Sequence, residues 1–169
     1  MATDKLIPFV YQSWADADFA VEGLTDEEAT TRYDGASSIA WTYGHLANMV
    51  DSWLNAKFQG LARNSIVGSA EFGAGGTGAA EDWPAISAAV REVRASARCL
   101  LDNKPPPDLD RVSPYDGAVA YLHPIGLSLR HALLRIAAHH FTHAGEILAI
   151  RSRLGHQIED VRDWGRTFA

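Results

Sequence analysis

The sequence predicts an all-α fold, a four-helix bundle, on three observations. Apolar residues recur at three- and four-residue spacing in four separate stretches. No stretch alternates apolar and polar residues convincingly enough for a strand. Glycines and prolines gather between the stretches, and the connections after the second and third helices are long. With 169 residues, 47% of them hydrophobic and 21% charged, the chain is expected to fold as a single domain over residues 1–169 with a sizeable core.

The first stretch covers residues 4–22 and carries Leu6, Phe9, Val10, Ser13, Trp14 and Ala17 on one helical face. Pro8 suits only a first turn, so the regular part is expected to begin a few residues late, and Gly23 closes it. A polar connection follows, with one short helical turn at residues 26–29.

Ser37 or Ser38 caps the second helix, which runs to about Phe58, before Gly60. Its notable positions are Trp41, His45, Asn48, Met49, Ser52 and Trp53. Residues 60–82 break the pattern, with glycine dense from 68 to 78. They read as a mobile crossover that either covers a pocket mouth or merely connects.

Asp82 caps the third helix, Pro84 fits its first turn, and it ends near Leu101 or Asn103. Its stripe is Ile86, Ala89, Val90, Val93, Ala97 and Leu100, and Cys99 within it is expected to be a buried structural thiol. The prolines of residues 103–118 exclude helix there. His123 precedes Pro124 and is expected to be extended, with no assigned role. The fourth helix holds HALLRIAAHHFTHAGEILAIRSRL and stops at Gly155. Beyond it, Trp164 and Phe168 are available to pack back on the bundle or to meet a partner.

Several classes are excluded by composition. The net charge is −6 and the basic residues form no run, so no nucleic-acid partner is expected. No apolar run approaches the roughly 18 residues of a membrane span. The start MATDKLIPF lacks the features of a signal peptide, which points to the cytoplasm. The single cysteine excludes an internal disulfide and a cysteine zinc cluster.

The chemistry lies in histidines. His139 and His143 are one helical turn apart on one face, so both imidazoles can reach one ion. With seven histidines in the chain, such a pair arises by accident roughly one time in four. The plain alternative is therefore a pair of hydrogen-bonded core histidines. His45 adds weight: it lies mid-helix with Trp41 one turn before and Met49 one turn after, a pocket-like setting. Its own plain alternative is a bond to a backbone carbonyl or to Asn48.

Three neutral imidazoles plus water make a catalytic or exchangeable divalent site. Imidazole suits zinc, nickel, copper and iron. Glu146, three residues past His143, is the candidate catalytic carboxylate, as fourth ligand, orienter or general base. His140 and His131 each fall about 100° from the ligand face and are expected on the flanks or surface. A zincin would need glutamate directly after His139, where His140 stands. A di-iron bundle would need two Glu-x-x-His pairs.

These residues carry a resemblance. SSIAWTYGHLANMVDSWL is similar to the second helix of the DinB/YfiT-like superfamily. HHFTHAGEILAIRSRLG is similar to its last helix, which typically reads His-x-x-x-His-x-Gly-Gln before an apolar run. The resemblance implies a four-helix bundle that binds one divalent metal through His45, His139 and His143. It puts zinc or nickel first, with iron or manganese after them. It implies a homodimer and a small-molecule substrate. It also implies a metal-dependent thiol S-transferase or related enzyme, with a low-molecular-weight thiol as cosubstrate. The alternative is a non-catalytic, stress-related metal-binding or structural bundle. Glu146 stands where the family usually has glutamine, and Ala144 where arginine is common.

Overall fold

The structure is a computed structural model that describes residues 4–157, so Trp164 and Phe168 lie outside the described residues. Helix α1 (Leu6–Val21) starts at Leu6, earlier than the position of Pro8 predicts. Pro8 is the third residue of its first turn, where a backbone N–H has no helical partner to lose. The short α2 (Asp26–Thr30) is held by a capping box between Thr25 and Glu28. Helix α3 (Ile39–Val50) is capped by Ser38, whose side chain accepts from the Trp41 N–H. It runs directly into a π-helical segment, Asp51–Lys57, which the sequence pattern does not reveal.

Helix α4 (Trp83–Leu101) is capped by Asp82, with Pro84 in its first turn. Strand β1 (Val112–Ser113) pairs antiparallel with β2 (Leu127–Ser128), a small addition to the expected all-helical architecture. Helix α5 (Leu129–Arg153) is the longest, and Gly155 follows it with φ +87°. A side chain would strain that left-handed conformation.

Helix α1 packs on α5, while α3 packs on both α4 and α5. The core between them includes Val10, Leu46, Leu54, Leu133, Ile136 and Ile147, all fully buried. Burial of this apolar surface drives the assembly. No described helix is long and apolar enough to cross a membrane.

Three expectations need correction. Cys99 is exposed, not buried, because the buried stripe of α4 passes through Val93, Ala97 and Leu101 and leaves position 99 facing outward. His123 is helical in φ and ψ, not extended. It ends a tight turn over Ala120–Leu122, its N–H donates to the Ala120 carbonyl, and its Nε2 bonds the Gly117 carbonyl. His140 is fully buried, not on a flank or surface, because α5 is packed on two sides. A position 100° from the face toward α3 meets a second wall of the bundle.

Candidate metal centre

One face of α3 builds half of the site. Trp41, Gly44, His45 and Asn48 follow the i, i+3, i+4, i+7 spacing of a single helical stripe. Each of them meets the crossover between α3 and α4. Trp41 Nε1 donates to the Glu71 carbonyl at 2.7 Å, and Asn48 Nδ2 donates to the carbonyls of Val67 at 2.7 Å and Ser69 at 3.0 Å. His45 Nδ1 lies 2.6 Å from the Phe72 carbonyl. Gly44 leaves room for the Phe72 ring: a Cβ there would stand 2.5 Å from a ring carbon. The crossover, read as mobile from its glycines, is thus gripped at its centre, with Val67 and Phe72 buried.

Helix α5 supplies the other half. His45 Nε2 and His143 Nε2 each lie 3.1 Å from His139 Nε2. Ligand atoms of all three residues fall within 4.8 Å of one another. Two nitrogens each about 2.0–2.1 Å from a single ion stand roughly 2.9–3.4 Å apart, between a right angle and the tetrahedral angle. The two 3.1 Å spacings to His139 match that range, while the set of three spreads more widely, within 4.8 Å.

Hydrogen bonding selects the tautomers. The Phe72 carbonyl only accepts, so His45 carries its hydrogen on Nδ1 and turns a lone pair on Nε2 inward. Glu146 Oε2, 2.6 Å from His143 Nδ1, does the same for His143. Two lone pairs therefore face His139 Nε2. A hydrogen on that nitrogen could satisfy one of them and not both. A cation at the centre satisfies all three, so the residues present fit a divalent metal. Among the described residues His139 Nδ1 has no partner.

The electrostatics agree. Burial above all, with help from His143 and His45, pushes His139 down to about 3. Burial lowers His45 too, against the upward pull of the Phe72 carbonyl. Neutral imidazoles are the form a metal needs. Trp41 stacks on His45, ring centres 4.8 Å apart and 9° from parallel, which fixes that imidazole's plane. Met49, one turn further, packs against the core at partial exposure.

Sequence reasoning named the three histidines, Glu146 and Trp41, and the structure brings all five together. The backbone-carbonyl bond offered as the plain alternative for His45 is present, to Phe72, which the sequence did not single out; the role of Gly44 was missed, although a lone glycine within an apolar helix signals close packing. His123 lies elsewhere, lining a cleft of about 480 Å³ with Lys57, Tyr115 and Asp116. His131 is half-buried two turns before His139, its Nε2 3.2 Å from the Tyr121 hydroxyl.

Fold and site define a class: an all-α bundle with a three-histidine cluster between two of its helices that could hold a metal ion. The family profile of the DinB superfamily matches residues 10–147, which include all three histidines, and the chain belongs to that superfamily. No curated protein and no solved structure matches it.

Proposed function

We propose that the protein is a metal-dependent thiol S-transferase or a related enzyme. Its divalent ion, zinc or nickel before iron or manganese, would sit on His45, His139 and His143. The observation that carries this reading is the pair of inward lone pairs, fixed by Phe72 and Glu146, that converge on His139. A divalent ion there supplies Lewis acidity and brings a bound thiol or water towards ionisation near neutral pH.

The chain's own residues do the rest. Glu146 holds His143 in the binding tautomer, and its half-exposed carboxylate is the proton acceptor in contact with the cluster. Trp41 and the Phe72 carbonyl hold His45. Trp41 and Met49 border the pocket for a small-molecule substrate. A homodimer belongs to the same proposal, as does a cytoplasmic setting, where low-molecular-weight thiols stay reduced.

Elemental analysis of protein purified without a metal-affinity tag, followed by a thiol panel against an electrophilic acceptor, tests the reading. Metal at one ion per chain with thiol conjugation supports it. Metal without conjugation on any thiol leaves a non-catalytic metal-binding bundle, and the absence of metal leaves a structural one.

A further inference from the structure

The ligand stripe of α5 does not stop at His139. Towards the start of the helix Arg135 lies one turn, about 6 Å, before His139, and His131 lies one turn further, rotated away from the centre of the ligand face. Both ends meet the continuous helical stretch formed by α3 and the π-helical segment after it. His139 and His143 meet His45, while the His131 ring lies 6.4 Å from that of Trp53. The residue midway between His45 and Trp53 is Met49, so Arg135 stands at the same level, beside the proposed pocket.

Arg135 is exposed, and among the described residues it has neither an ion pair nor a hydrogen bond. Among the described residues, Arg63 pairs with Asp51, Arg94 with Asp18, Arg130 with Asp4 and Asp110, and Arg153 with Asp34. Arg135 is close enough to the cluster for its charge to count among those that disfavour a proton on His139. One turn before it, His131 is hydrogen-bonded to the Tyr121 hydroxyl, with the Trp53 ring beside it.

We infer that Arg135 is the anion anchor of the site: it holds the carboxylate of a small acidic thiol whose sulfur reaches the three-histidine centre. The inference rests on the metal-dependent reading above. Guanidinium and carboxylate match as a bidentate pair, and one helical turn brings the anion to within about 10 Å of the centre. An unpaired cation at that distance also raises the local concentration of anions. Arg135 is a positioning residue for the acidic end, and the reacting atoms lie elsewhere.

The test uses the full chain loaded with cobalt(II), in which thiolate binding shows as a sulfur-to-cobalt charge-transfer band. Titrations with 3-mercaptopropionate and with uncharged 2-mercaptoethanol are compared in the parent, Arg135→Gln and Arg135→Lys. Arg135→Gln is expected to weaken the acidic thiol roughly five- to tenfold, the scale of one partly exposed charge-assisted pair, and to leave the neutral thiol unchanged. Arg135→Lys should recover part of the loss, and added salt should narrow the parent's preference. Equal losses for both thiols, or none, overturn the inference while the metal site stands. Cobalt uptake without a charge-transfer band for either thiol overturns it and the thiol chemistry together. Failure to take up cobalt overturns the metal reading and this inference with it.

Discussion

Replacing Gly44 with alanine adds one methyl group and touches no histidine, yet it should weaken metal binding. The added Cβ would stand 2.5 and 2.6 Å from two carbons of the Phe72 ring and 3.4 Å from Ile86 Cγ2. Carbon atoms prefer about 3.5–4.0 Å, so the ring must retreat by roughly 1 Å. Phe72 is only 6% exposed and cannot simply swing into solvent. The turn Ala70–Phe72 must move with it. Its carbonyl now lies 2.6 Å from His45 Nδ1. A shift of about 1 Å takes that contact past the range of a hydrogen bond.

Two terms compete in the stability. Alanine is a better helix former than glycine by about 1 kcal/mol. Overpacking a closed site costs about 1–3 kcal/mol. The net should be a loss of roughly 0–2 kcal/mol from these two terms. Metal affinity should fall about 10- to 100-fold, the usual effect of losing the group that orients a ligating imidazole. Gly145→Ala is the control: a Cβ added at that helical glycine meets nothing within 4 Å, so it should gain about 1 kcal/mol and show no contact penalty. Chemical denaturation of both apo variants and competition with a chromophoric chelator supply the two readouts. If Gly44→Ala is stabilised as much as Gly145→Ala and keeps the parent's affinity, the crossover is not part of the site.

Three further outcomes follow from the same geometry. Single alanine changes at His45, His139 or His143 should each sharply reduce metal content from about one ion per chain; full occupancy in His45→Ala, by elemental analysis, would refute a site shared between α3 and α5. Glu146→Gln keeps a side chain of the same size at His143 Nδ1 but removes the negative charge, so the fold should persist while metal affinity or the pH–rate profile shifts; identical affinity and pH behaviour would make Glu146 a bystander. In acid, the histidines of the unfolded chain take up protons near 6.5 that buried His139, at about 3, and His140, also well below its usual value, refuse. A depressed folded value means that stability is complete above about pH 6.5 and is lost as pH falls below it, towards about 3 in the case of His139. The apo protein should thus lose stability as pH falls below about 6.5, and the extra stability of the metal-loaded form should shrink over the same range, with melting curves with and without chelator as the check. Curves that superimpose at pH 7.5 would remove the metal site.

Much of this architecture is legible because helix boundaries and ligand faces are local properties. Ser38 and Asp82 begin helices as cap chemistry requires, and Gly155 ends one. His139 and His143 share a face because of the 3.6-residue period, whatever surrounds them. Cys99 could have been placed by the same period, since position 99 lies about 200° round from buried Ala97. Other features depend on contacts distant in sequence. Glycines from 68 to 78 say that the backbone is permissive, not what will hold it. The grip comes from Trp41, His45 and Asn48, some 20 to 30 residues away. Similarly, the buried Asp51 carboxylate is met by Arg63 and the Asn64 N–H, which reach back to it from the crossover.

The neighbouring histidines His139 and His140 show what distinguishes a site from a core. Burial pushes both away from the protonated form, and His140 is the more deeply buried. Depressed proton affinity alone would therefore nominate either. Their partners differ. His140 Nδ1 donates to the Ile136 carbonyl one turn back, and the charge of Arg94 on α4 adds to the cost of protonating it. No second imidazole lies within bonding distance of its Nε2, which has no partner among the described residues. That arrangement is a polar residue accommodated in a packed interior, at the expense of one unsatisfied nitrogen. His139 Nε2 faces two lone pairs whose direction is set from outside the cluster, by a loop carbonyl on one side and a carboxylate on the other. A hydrogen on His139 Nε2 can meet only one of those lone pairs, and a cation can meet both together with His139 itself. Metal binding depends on that convergence, and substitutions that misalign Phe72 or Glu146 should weaken it even with every histidine in place.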